Sequence, residues 1–245
     1  MNPILVEQLA RDYCCAPEDV ADGHNHFFPY RPQDGRRRFR EAKECWLKAA
    51  VVNEKLLMAG QPEIIGWCRE TFADAEGKWF LDGQCLAVLQ DRLRESGHRL
   101  GSMHPFLIAE APTDPGPLPF AVRWYEGADI EAFRGDGRFS NAYTFEEHAP
   151  DMLGVGAIGE DGHILGMAGV SRDSETMWQI GIDVLPEARG KHVGVGLVTL
   201  LKNEILRRGK LPFYGTALSH AASLRVGLGA GFRPAWSELY TAKNE

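Results

Sequence analysis

Along this 245-residue chain the apolar positions change period, and each change marks an element. Over residues 177–185 they alternate, with Trp178, Ile180, Ile182 and Val184 on one side, the pattern of a half-buried strand. Pro186 has no N–H for a ladder and ends that strand. From Val193 onward Leu197, Leu200, Leu201 and Ile205 return at helical spacing, and Arg207, Arg208 and Gly209 supply a cationic last turn and a stop. The same reading predicts helices over 3–15, 62–72 and 83–96, one or two strands over 45–58 ending at Gly60, and a strand over 103–109. Beyond them it predicts a strand over 120–124, a short helix over 128–133 and a mobile segment through Pro150. A hairpin of 152–158 with 164–170 turns across Glu160, Asp161 and Gly162. A strand over 211–216, a helix from an N-capping Ser219 to Ala230 and a closing strand over 233–240 finish the chain. Elements in this order imply a mixed α/β (α+β) fold with a mostly antiparallel central sheet flanked by helices.

Prolines at 112, 115, 117 and 119 read as a linker. They divide the chain into an α/β N-terminal region, 1–116, and a second domain, 117–245.

Composition narrows the function. Apolar content of 44% and charged content of 25% fit a globular protein with a sizeable core. A net charge of −7 argues against a nucleic-acid partner, whose domains are basic. No apolar run approaches the ~18 residues of a membrane span, and Met1-Asn2-Pro3-Ile4 lacks a cationic start, so neither a membrane partner nor a signal peptide is expected. Cys14, Cys15, Cys45, Cys68 and Cys85 form no C-x-x-C pair and read as reduced structural thiols of a cytoplasmic protein. His24 and His26 have metal-ligand spacing, but nothing nearby completes a ligand set, and no metal is expected. Arg36, Arg37 and Arg38 read as a solvated turn. Trp178, Phe213, Phe232 and Trp236 read as core.

The chemistry concentrates between the strand and the long helix, at Arg189, Gly190, Lys191, His192, Val193 and Gly194. Two glycines and two cations at the start of a helix suit an anion, above all a phosphate or pyrophosphate. Neither a P-loop nor a dinucleotide fingerprint fits, because Gly190-Lys191 is followed by His192 and Gly194-Val195-Gly196 lacks its third glycine. What does fit is V-x-P-x-x-R-G-x-G-[IV]-[GA]. Residues 184–194, V-L-P-E-A-R-G-K-H-V-G, resemble this acetyl-CoA pyrophosphate loop of the GNAT N-acetyltransferases, with His192 in the place of a glycine. Ser219-His220-Ala221-Ala222-Ser223 resembles the family's S-N-x-x-S helix start, and Gly231-Phe232 its closing G-F.

The resemblance implies an acetyltransferase that moves an acetyl group from acetyl-CoA to a primary amine of a small molecule or peptide. The competing reading is an acyl-CoA-binding sensor without turnover, and a homodimer stays open. It also implies that the loop from Arg189 to Gly194 holds the pyrophosphate. Val184 and Leu185 would present backbone groups to pantetheine, the Ile182 N–H would face the acyl oxygen, and His220 and Ser223 would reach the cofactor. Family members carry a tyrosine four residues before the G-F glycine to protonate the thiolate; here that position is Gly227, and Tyr214 is the nearest substitute in sequence. Glu175 and Asp183, which flank the strand, are the candidate bases, against bland readings as a solvated carboxylate and a structural acceptor.

Overall fold

The computed structural model of the chain describes residues 1–37 and 45–244, so Arg38 of the arginine run lies outside the described residues. Two compact units appear: Met1–Phe106 with Ala235–Glu245, and Leu107–Pro234. The closing strand thus returns to the first unit, and the proline run lies within the second.

In the first unit, α1 (Pro3–Tyr13) starts where the Asn2 side chain accepts from the N–H groups of Ile4 and Leu5. After α2 (Pro17–Ala21), β1 (His26–Pro29) runs parallel to β3 (Lys55–Gly60), and β2 (Leu47–Val52) pairs antiparallel with β3. Asn53 and Glu54 join the hairpin at φ +49° and +62°, the left-handed pair that a tight hairpin turn requires. Helices α3 (Pro62–Phe72) and α4 (Gly83–Glu95) follow, then β4 (His98–Ile108). The strand Arg233–Lys243 lies between β2 and β4. Leu47, Met58, Ile64, Phe72, Phe80 and Leu89 form the core.

Arg37, expected in a solvated turn, is only 4% exposed. Its guanidinium pairs with the carboxylates of Asp12 and Glu238 and lies over the Trp236 ring, 4.9 Å from the centroid. Burial works against its charge, but Asp12 and Glu238 outweigh burial and hold its pKa above the ordinary value. Lys48, also buried, donates to the Asp12 carbonyl and sits over the Tyr13 ring, and burial pushes its pKa down.

The second unit is a sheet in the order β9-β8-β7-β6-β5. Its strands are β5 (Ala121–Tyr125), β6 (Asp151–Ile158), β7 (Ile164–Ser171), β8 (Met177–Val184) and β9 (Leu211–Gly215). Pairing is antiparallel except between β8 and β9. Between β5 and β6 lies a short α5 (Ala128–Glu131). Helix α6 (Val193–Arg207) presses Leu197, Val198, Leu201 and Ile205 into a core with Val155 and Ile180, and α7 (Ala221–Gly229) follows β9. The N-cap of α7 is His220 rather than Ser219, whose carbonyl instead takes the Ala221 N–H.

Two stretches expected to be loose are fastened. The proline run is tied to α6: Asn203 exchanges two hydrogen bonds with the Thr113 backbone, and Lys202 Nζ donates to Thr113 Oγ1 and to the Ala230 carbonyl. Leu118 then packs on Gly196, where an added Cβ would lie 2.8 Å from Leu118 Cδ2. The segment expected to be mobile before Pro150 buries Phe139, Ala142 and Tyr143. It crosses the sheet over Gly154, Gly169 and Gly181, which stand opposite one another on β6, β7 and β8. The Tyr143 side chain takes the place of a Cβ at Gly154, and the crossing backbone does so at the other two: added atoms would lie 2.0 Å from the Ala142 oxygen at Gly169 and 1.8 Å from the Asn141 oxygen at Gly181.

Candidate functional site

The site begins where two parallel strands part. β8 pairs with β9 from Met177↔Leu211 to Gln179↔Phe213, and there the register ends. β8 nevertheless continues to Val184, paired on its other side with β7 down to Gly166↔Val184. Among the described residues no strand pairs with the β9-facing edge of Ile180–Val184, so a linear ligand with amide groups can lie against it as a strand would.

The parted strand leads into the loop. A 3₁₀ turn, Pro186–Ala188, redirects the chain, and Arg189 Nε donates to the Val184 carbonyl at 3.3 Å. Gly190 has φ +75° and His192 φ +59°. His192 thus adopts the left-handed conformation for which glycine is the usual choice, at a cost of about 1–2 kcal/mol. Its carbonyl accepts from the Gly196 N–H at 3.0 Å, while its side chain makes no cap. The amides of Val193, Gly194 and Val195 stand at the first turn of a fifteen-residue helix with the dipole behind them. Arg189, Lys191 and His192 are exposed around this turn. The arrangement fits a diphosphate.

Tyr214 lies near the end of β9, 2% exposed, and its hydroxyl shares a 2.8 Å hydrogen bond with Ser223 Oγ on α7. Its ring fills the space beside Gly227, where an added Cβ would stand 3.2 Å from Tyr214 Cδ1. The missing side chain at 227 and the phenol from β9 are thus complementary. Burial raises the Tyr214 pKa, against the Ser223 hydrogen bond and with the help of the Asp183 charge, so the phenol keeps its proton at neutral pH.

Other sequence-selected residues fall differently. Ile182 and Val184 lie on the parted strand, and His220 and Ser223 on the start of α7. Leu185 has no free backbone group: its N–H donates to the Leu165 carbonyl and its carbonyl accepts from Ala188. Glu175 precedes the opposite end of β8 from the loop, 77% exposed, and pairs with Lys210 at 3.2 Å. Asp183 is a structural acceptor, taking the Asn141 N–H, the Asn141 side-chain amide and the Ala142 N–H at 2.8, 2.6 and 2.9 Å. It pins the crossing segment to β8. Sequence reasoning missed that segment; its signal was one glycine in each of three successive strands.

His26 is held by Asp22, 2.9 Å from Nε2, and the Lys55 ammonium shares the same carboxylate. Among the described residues no helix is long and apolar enough to cross a membrane.

Residues 119–227 match the model of the Acetyltransferase (GNAT) family. Among solved structures, the chain resembles a GCN5-related N-acetyltransferase from Sphaerobacter thermophilus with a TM-score of 0.50 and 14% identity, over 77% of this chain and 72% of that one. A GCN5-related N-acetyltransferase-like protein from Streptococcus suis gives 0.49 and 14%, over 96% and 98% of the two chains. An acetyltransferase of the GNAT family from Colwellia psychrerythraea gives 0.47 and 14%, over 78% of each. The Sphaerobacter likeness is one of fold. No curated protein sequence matched the chain.

Proposed function

We propose that this chain is an N-acetyltransferase that uses acetyl-CoA and a primary amine, a reading supported by the match of residues 119–227 to the model of the Acetyltransferase (GNAT) family. The observation that carries this reading is the parting of β8 from β9 beyond Gln179 and Phe213, directly before the uncapped first turn of α6. One element offers a backbone edge to pantetheine and the other offers amides and cations to its diphosphate. Acetyl-CoA supplies an activated acyl group as a thioester, whose sulfur needs a proton when it leaves.

Each protein group then has a task. Val193, Gly194 and Val195 hold the diphosphate, with Arg189 and Lys191 adding charge. The Ile182 and Val184 backbone orients the arm, and the Ile182 N–H faces the acyl oxygen, where a preorganised donor typically contributes about 3 kcal/mol. Tyr214 holds the proton for the departing sulfur, and Ser223 fixes the direction of its hydroxyl. Glu175 is remote and Asp183 is spent on Asn141 and Ala142, so neither is assigned as base; the acceptor amine gives its proton to solvent, and solvent restores the proton that Tyr214 gives to the sulfur. The acidic balance of the chain favours a cationic small molecule or peptide as acceptor. Five cysteines without a C-x-x-C pair suit a reducing, cytoplasmic setting.

The test is thiol release from acetyl-CoA across a panel of primary amines. Amine-dependent release is expected from the wild type. Tyr214→Phe should lower kcat by about 100-fold and leave KM for acetyl-CoA within about twofold, since the phenol acts at the leaving step. Binding of acetyl-CoA with no release for any amine would instead favour the sensor reading.

A further inference from the structure

We propose that the first unit holds a guanidinium receptor, built from Asp12, Glu238 and the Trp236 and Phe106 rings, which the chain fills with its own Arg37. Residues 31–37 then form a latch, and a guanidinium on another molecule, such as an arginine side chain, can take the place of Arg37.

The receptor is set by groups other than its occupant. Asp12 on α1 and Glu238 on the closing strand are both 0% exposed. Glu238 accepts from the Tyr13 hydroxyl at 3.4 Å and from the Tyr240 hydroxyl, and Asp12 accepts from Gln8 Nε2 at 2.9 Å. Burial and the Glu238 charge push the pKa of both phenols up, so both remain donors. The Trp236 and Phe106 rings stack on each other, 4.9 Å between centroids. The two carboxylates and the aromatic wall thus keep their places when the cation leaves.

Its geometry selects a guanidinium. Arg37 Nε donates to Asp12 and Nη2 to Glu238, while the planar group lies 4.9 Å from the Trp236 centroid and 5.7 Å from that of Phe106. Two donors in a fixed fork, with a flat face for the rings, belong to arginine and not to an ammonium. The buried ammonium of Lys48 sits close by in another geometry, on the Asp12 carbonyl and over the Tyr13 and Tyr30 rings.

The latch itself is lightly held. Residues 31–35 are exposed throughout and carry no large apolar side chain. Cys14 Sγ exchanges hydrogen bonds of 3.3 Å with the Arg31 backbone, Gln33 donates to the Arg11 carbonyl, and Gln8 donates to the Gly35 carbonyl at 3.0 Å. Such solvent-facing bonds open more readily than a core does. Arg37 is the buried end of this stretch, with its N–H on Asp12 at 2.9 Å.

Thermal unfolding of the whole chain carrying Arg37→Ala tests the receptor, with ethylguanidinium to restore the deleted atoms and propylammonium as the control. At ten times its dissociation constant ethylguanidinium should raise the midpoint by about 3–5 °C and saturate. Propylammonium, or ethylguanidinium on an Arg37→Ala, Glu238→Gln double variant, should move it by less than about 1 °C. If Arg37→Ala does not fold alone, its refolding yield with each cation decides the same point, recovery being expected with ethylguanidinium only. In the wild type, excess ethylguanidinium should speed hydrogen exchange across residues 31–37 at least about threefold, and propylammonium should not. The receptor is overturned if Arg37→Ala answers neither cation, answers both alike, or answers equally without Glu238. Unchanged exchange in the wild type overturns the latch.

Discussion

Gly181→Val is expected to destabilise the second unit by about 3 kcal/mol or more, at the upper end of what overpacking costs. The added Cβ would stand 1.8 Å from the Asn141 oxygen and 2.8 Å from its carbonyl carbon, so the obstacle is backbone rather than a side chain that can turn away. Relief requires lifting Asn141 and Ala142 from β8, which would also strip the Asp183 carboxylate of its three donors. Strand and crossing segment therefore fail together. Gly83→Ala is the control: at the start of α4 its Cβ meets nothing within 4 Å, and it should be neutral or stabilising by up to ~1 kcal/mol. Urea unfolding followed through the tryptophans measures both. A Gly181→Val protein as stable as the Gly83→Ala control would mean that the crossing segment is not seated as described.

Arg37→Met in the first unit should cost about 3–5 kcal/mol, because it removes the guanidinium that bridges two fully buried carboxylates. Asp12 and Glu238 are both 0% exposed, and Arg37 reaches each of them while its backbone N–H also donates to Asp12 at 2.9 Å. Methionine keeps much of the contact with Trp236 and Phe106, so the measured loss reports mainly on charge. Arg36→Met, one residue earlier and less buried, should cost far less. Similar denaturation midpoints for the two variants would contradict the buried pairing.

What could be read along the chain was what local chemistry enforces. Pro186, Gly190 and Gly194 are demanded by a turn and a helix start within a few residues of one another, and the strand and helix on either side show their own periods. The hairpin of β6 and β7, the start of α1 and both boundaries of α3 were legible for the same reason. What escaped depends on partners distant in sequence. Arg37 looks solvated until Glu238 is beside it, and Gly181 looks like a weak point in a strand until Asn141 lies across it. The proline run has the composition of a linker, yet Lys202 and Asn203 on α6 hold it. Tyr214 was selected by proximity in sequence; its fit against Gly227 is a matter of side-chain packing that spacing does not reveal.

The most direct test is titration of acetyl-CoA into the wild type and into an Arg189→Glu, Gly194→Asp double variant. An acidic side chain in the first turn suits the dipole of α6, but a Cβ at buried Gly194 would stand 3.2 Å from Val226 Cγ2, so circular dichroism first establishes that the variant is folded; the folded variant should repel an anion from the same amides. The wild type is expected to bind one acetyl-CoA per chain, and the variant to lose at least about 100-fold in affinity, or ~2.7 kcal/mol. Equal binding by the two proteins, or no binding by a folded wild type, would contradict the assignment of this loop.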